Sequence, residues 1–190
     1  MVSLAQLWLP ILLGGIGMFV ASSIIHMALQ FWHNPDYHQF PNEDEVRAAM
    51  RKGNAAPGMY LFPYCKPEDM KKQEFKDKFV QGPVGFMILR PSGLYNMGKS
   101  LGQWFAFCVL VSLFAGYVAA STFGAGTASM QVLRVVSTTA FMACAFGAFP
   151  QSIWWGQPWR ASFKDIVDGL VYGLVIGAVF ASFWPHAAAG

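Results

Sequence analysis

LWLPILLGGIGMFVASSIIHMAL, residues 7–29, contains one ionisable side chain, His26, in a run as long as the ~20 apolar residues a helix needs to cross a hydrocarbon core. Three more runs of this kind follow, at about Leu101–Thr122, Val132–Ala148 and Phe163–Trp184. Together they predict an all-α integral membrane protein, a single membrane domain over residues 1–190. Four transmembrane helices form its bundle, and a compact cytoplasmic loop, residues 33–99, lies between the first and second. Composition agrees: 12% of the chain is charged and 55% hydrophobic, whereas soluble domains carry about 25% charge.

The basic residues set the expected orientation. Ten Lys and Arg lie between His33 and Lys99, Arg160 and Lys164 flank the last run, and Arg134 stands alone in the third. With four crossings, the long loop and the segment before Phe163 share a side, which the positive-inside tendency places in the cytoplasm. Both termini then face outward. Residues 1–6 lack the basic region of a secretory signal, so the first run is expected to stay as an anchor. Trp154, Trp155 and Trp159 mark the inner boundary and Trp184 the outer one, as interfacial aromatics do. Arg134 is placed to snorkel outward, and Pro150 is expected to end or kink the third helix.

Eight acidic residues dilute the ten basic ones of the long loop, and the net charge is +3, which gives no footprint for nucleic acid. Its cations are better matched to anionic lipid. Cys65 lies in this loop and Cys108 and Cys144 in apolar runs, so no disulfide framework is implied. Asn42 followed by Glu45 reads as an N-cap opening a helix to about Lys52. A second helix is expected from Pro67 to about Val80. MYLFPYC and VGFMILRPSG, apolar and bounded by Pro and Gly, are either short extended segments or interfacial loops. Gly93–Ser100, GLYNMGKS, satisfies the nucleotide-binding pattern G-x-x-x-x-G-K-[ST]. The helix after it is a membrane span and the loop is too short for the usual parallel sheet, so a capped helix start near lipid phosphate is expected instead of nucleotide binding.

Gly169, Gly173, Gly177 and Ala181 recur every fourth residue and line one face of the last helix, a ridge of small residues that lets another helix approach closely. Gly17 and Ala21 offer a shorter counterpart in the first run; Ala140, Cys144 and Ala148 offer another in the third.

Ionisable groups near the spans are the places to seek chemistry, because charge inside a bilayer is costly and retained for a reason. Ser22, His26, Gln30 and His33 fall on one side of the first helix. With Asp168 they suggest either helix-to-helix hydrogen bonding or a proton or metal site, for which His26, His33 and His38 are the candidate ligands. On a straight helix the two turns between His26 and His33 span about 10 Å, too far for one ion. Neither H-E-x-x-H nor paired Cys spacing is present. Asp165, three residues after Ser162, fits a capping box, and Asp168, four after Lys164, fits an intrahelical ion pair. No nucleophile, base and orienting group fall together, so no catalytic residue and no cofactor are assigned, and an enzyme is the least supported class.

PNEDEVRAAMRKGNAAPGMYLFPYC (residues 41–65), QGPVGFMILRPSG (81–93) and NMGKSLGQWF (96–105) resemble a group of uncharacterised bacterial four-span inner-membrane proteins. That resemblance carries no activity and implies only a bacterial inner-membrane location. Two functions follow as expectations. One is an accessory or assembly subunit of a larger membrane complex, or a self-associating protein, with the glycine ridge as its contact. The other is a small transporter or proton- or metal-handling protein that uses the His26 stripe and Asp168.

Overall fold

The computed structural model describes residues 2–187 and contains four helices long and apolar enough to cross a membrane, at Leu4–Ala28, Met97–Thr122, Ser129–Trp154 and Trp159–Phe183. The first starts with a 3-10 turn, Leu4–Leu7. There Ser3 Oγ accepts from the Gln6 amide and the Gln6 side chain accepts from the Ser3 amide, so two orphan donors are satisfied reciprocally. Helix α1, Trp8–Ser23, follows and runs into a π-turn at Ile24–Ala28. The Leu29 amide bonds Ile24 O at 3.0 Å, five residues back, and Leu29 itself leaves helical geometry at φ −93°, ψ 55°. One further turn, α2, covers Gln30–His33.

The loop between the first two spans is folded. Helix α3, Glu43–Lys52, has the expected bounds. Its start differs in mechanism: Asn42 sits in the left-handed region at φ 53° with no side-chain cap, and its backbone carbonyl accepts from Glu45 and Val46. The two apolar segments are strands. β1, Gly58–Phe62, pairs antiparallel with β2, Gly85–Leu89, in a register that sets Leu61 against Phe86 and Met59 against Ile88. The helix expected over Pro67–Val80 is divided, because the chain makes a 3-10 turn at Pro67–Asp69 and restarts as α4, Gln73–Gln81. The all-α expectation therefore holds for the membrane bundle, with a two-stranded sheet added outside it.

The remaining spans are α5, Met97–Thr122; α6, Ser129–Ala145, continued after a break at Phe146 and Gly147 by α7, Ala148–Trp154; and α8, Trp159–Phe183. The third span is thus broken before Pro150, which lies in the first turn of α7, where a missing amide hydrogen leaves no bond unmade. The four long helices form a ring in which α1 packs on α5 and α8, and α6 packs on the same two. Phe180, Met18, Ile176, Val136 and Cys108 are fully buried at its centre.

The glycines set the spacing of the ring. A Cβ added at Gly173 would stand 2.6 Å from Ser137 O and 3.0 Å from the Phe141 amide nitrogen, and one at Gly169 would stand 2.8 Å from Ala145 Cβ. Gly177 is closed in the same way by Ser137 Oγ. The ridge of α8 is therefore filled by α6 of the same chain. Trp184, expected as a surface belt residue, is buried, and its indole donates to Gly124 O at 3.0 Å, tying the end of α8 to the α5–α6 turn. Trp154 is 74% exposed and Trp159 58%, in keeping with a boundary at the opposite end.

Candidate metal centre

The π-turn and the break at Leu29 decide the geometry of the site. In a straight helix His26 and His33 would lie two turns apart. Here the chain bends back, the two imidazole rings stack with centroids 4.5 Å apart and planes 20° apart, and the sequence-based separation of about 10 Å does not apply. π-turns of this kind are frequent at functional positions, and this one brings together side chains that a regular helix would separate.

Both rings aim at one carboxylate on α8. His33 Nε2 lies 2.7 Å and His26 Nε2 3.6 Å from the same oxygen, Asp168 Oδ2. Asp168 Oδ1 accepts from the Trp32 indole at 2.9 Å, which leaves Oδ2 directed at the imidazoles. Asp168 is 4% exposed. One potential ligand atom from each of His26, His33 and Asp168 lies within 4.8 Å of the other two. Tyr172, one turn further along α8, places its hydroxyl 3.2 Å from His26 Nε2.

A second layer holds this group in place. Lys164, expected to pair with Asp168, pairs instead with Asp36, its ammonium 2.7 Å from both carboxylate oxygens. The break at Leu29 is again the reason, because it carries Asp36 back over the start of α8. Lys164 Nζ also stands 5.6 Å from the Trp32 ring centroid. This hydrogen bond and charge hold the Asp36 carboxyl below the ordinary carboxylate range. Asp36 Oδ2 is 3.6 Å from His33 Nδ1, so the carboxylate faces the ring nitrogen opposite the one aimed at Asp168. A carboxylate behind a ligand histidine fixes ring orientation and tautomer in metal sites.

Lys164 and Asp36 neutralise each other, leaving the Asp168 carboxylate with two imidazoles and an indole. Asp165, which enters no capping box because α8 already starts at Trp159, accepts from Gln157 Nε2 at 2.8 Å and forms no ion pair among the described residues. Both carboxylates line an open cleft of about 270 Å³, together with His26, Tyr172, Cys144 and Gln151. The cleft opens onto two of the three candidate ligands, His26 and Asp168.

Not every residue of the predicted stripe reaches the site. Ser22 is buried above it, where its hydroxyl accepts from the Trp104 indole at 2.7 Å and donates to Phe19 O. Gln30 is exposed and bonds only Met27 O, and His38 is exposed and lies outside the ligand group. Trp32, Asp36 and Tyr172 belong to the site although no motif marks them. The spacing of His33 and Asp36 was the one local hint. At the nucleotide-like motif, Asn96 Oδ1 accepts from the Lys99 amide at 2.9 Å. The start of α5 is thus capped by its own Asn96 side chain.

Comparison of the chain with family models, with curated proteins and with solved structures returns no match.

Proposed function

We propose that this multi-pass membrane protein handles a divalent transition-metal ion, held by His26, His33 and Asp168 at the end of the bundle that carries Trp154 and Trp159. The observation that carries this reading is the aim of two imidazole nitrogens at one buried carboxylate oxygen. Around a tetrahedral ion with bonds of ~2.0–2.2 Å, donors lie about 3.3–3.6 Å apart, so His33 and Asp168, now 2.7 Å apart, must separate, and the two imidazole nitrogens, within 4.8 Å of each other, must close by up to about 1 Å. Binding would displace the hydrogen shared by His33 and Asp168, as a metal that competes with protons does. Two imidazoles and one carboxylate suit zinc, iron, cobalt or nickel and not magnesium or calcium, which prefer oxygen. Three protein ligands leave a position open toward the acidic cleft, the arrangement of a site that exchanges its ion or binds a further group.

The bacterial inner membrane, a cytoplasmic face for the site and outward termini belong to the same proposal. The cytoplasmic face and outward termini are supported by the asymmetry of Lys and Arg around the spans, and the bacterial inner membrane by the resemblance of residues 41–65, 81–93 and 96–105. The accessory-subunit reading took its motive from the glycine ridge, the compact loop and the shortage of buried catalytic groups; α6 occupies the ridge within the chain, which removes the first of these.

The test is metal analysis of the full chain purified in mild detergent and dialysed against Zn²⁺, Co²⁺, Ni²⁺ or Fe²⁺. One ion per chain is expected, with a Co²⁺ absorption spectrum of low coordination number, and it should be lost in His33→Ala and in Asp168→Asn. Equal retention of metal by wild type and both variants, or none by the folded wild type, would overturn the proposal. Recovery of stoichiometric partner subunits in place of bound metal would return the accessory reading to first place.

A further inference from the structure

The segment between α3 and α5 contains a cavity whose chemistry is the reverse of the candidate metal site's. β1, β2 and α4 border an open cavity of about 860 Å³, walled by Leu61, Met70, Phe75, Phe79, Val84 and Phe86, with Trp154 of the bundle at one side. A volume of this size lies within the range of about 300–1,000 Å³ usual for small-molecule sites. Its walls are nearly free of polar atoms. The one charged side chain lining it is Lys76, which forms no ion pair among the described residues, whereas its neighbours Lys72 and Lys78 are paired with Asp69 and Glu74.

The surface continuing from the cavity is apolar as well. The register places Met59, Leu61, Phe86 and Ile88 on one face of the hairpin, and these side chains are 65%, 37%, 43% and 69% exposed. A two-stranded hairpin is marginal in water, and a contiguous apolar patch of this kind marks a surface that is covered in use. The position of the hairpin says by what. Phe86 packs edge-on against Trp155 with centroids 4.8 Å apart, so the sheet is joined to the interfacial tryptophans that bound the hydrophobic spans.

We infer that the cavity between the β1–β2 hairpin and α4 holds an acyl chain of an anionic membrane phospholipid, with Lys76 meeting its phosphate. The apolar walls take the chain, the tryptophan side opens to the leaflet that supplies it, and the free ammonium selects a negative headgroup at the rim. A zwitterionic lipid fills the walls equally well but brings its own cation to Lys76, so preference for anionic lipid is a direct consequence of this geometry.

The full chain is reconstituted in nanodiscs of phosphatidylcholine, with or without phosphatidylglycerol. Each carries a small fraction of the matching lipid with a diazirine midway along one acyl chain. After irradiation, adducts are mapped by peptide mass spectrometry. Labelling is expected on Phe75, Phe79, Val84 and Phe86, stronger with phosphatidylglycerol. It should fall several-fold in Val84→Trp, which fills the cavity, while labelling of the outward bundle residues Phe114 and Leu174 is unchanged. Lys76→Glu should abolish the preference for phosphatidylglycerol without emptying the cavity. Labelling confined to the bundle, or equal labelling of wild type and a folded Val84→Trp variant, would overturn the inference. So would cross-links showing a protein segment or a second copy of the chain seated between β2 and α4.

Discussion

The candidate metal centre and the hairpin lie at the same end of the bundle and follow opposite rules. Around Asp168 every strongly polar group has a partner: Trp32 and His33 on the carboxylate, Tyr172 on His26, and Asp36 on Lys164. Around β1 and β2 the apolar groups lack them, and side chains such as Ile88 and Phe79 stand 69% and 48% exposed. Bilayer energetics account for the contrast. A polar group at the edge of the hydrocarbon must be satisfied inside the protein, whereas an apolar group there can be satisfied by lipid. The first region is finished within the chain; the second is finished by its surroundings.

Substitutions should therefore act differently in the two regions. The largest loss of stability is expected away from both, in the packing that supports the centre. Gly173→Val places side-chain atoms against the α6 backbone, where overpacking costs about 1–3 kcal/mol or more, and folded yield in detergent should drop sharply. If Gly173→Val leaves thermal stability unchanged, α6 and α8 are not in the contact described.

At the centre itself, Asp168→Ala removes the acceptor of the Trp32 indole and His33 imidazole. Each buried donor left unpaired costs about 1–3 kcal/mol, so lower melting temperature and complete loss of metal are expected together. Asp168→Asn keeps an acceptor for Trp32, so it should lose the metal with a smaller fall in stability. That separation, read by thermal melts beside metal analysis, distinguishes a ligand from a purely structural residue.

Asp36→Asn touches no metal in the proposed site and acts through His33. Changes behind a ligand histidine weaken metal binding by about 10- to 100-fold, measurable as a shift in Zn²⁺ competition against a chromophoric chelator. An unchanged affinity would remove Asp36 from the supporting layer. The smallest effect belongs to the hairpin. Ile88→Ser should leave stability in detergent within about 0.5 kcal/mol, as surface substitutions generally do. His38→Ala and Gln30→Ala serve as controls, with metal content expected at the wild-type level.

Much of the fold was legible in the chain. The four spans, their spacing, the helix at Glu43–Lys52 and the small-residue ridge of α8 all follow from local composition and period, and each was read close to its observed place except the end of the third span, which runs past Ala148 to Trp154. The two apolar loop segments were ambiguous because a short apolar run between Pro and Gly suits strand or loop equally until a partner strand is known. The candidate centre was half legible. His26, His33 and Asp168 stood out as ionisable groups near membrane spans, yet the spacing rule that places residues on a straight helix set the histidines apart.

That error has a definite physical origin. Hydrophobic length and the cost of exposed backbone in lipid act on each segment separately, so amino-acid order alone determined that this is a four-helix membrane protein and which ionisable residues it carries at the boundary. The π-turn at Ile24–Ala28, the break at Leu29, the capture of Lys164 by Asp36 and the meeting of two imidazoles on Asp168 were decided only in the tertiary structure. They arise because the end of the first span satisfies its polar side chains against α8, and the best set of partners, more than 130 residues away in the chain, requires a bend that no local preference encodes.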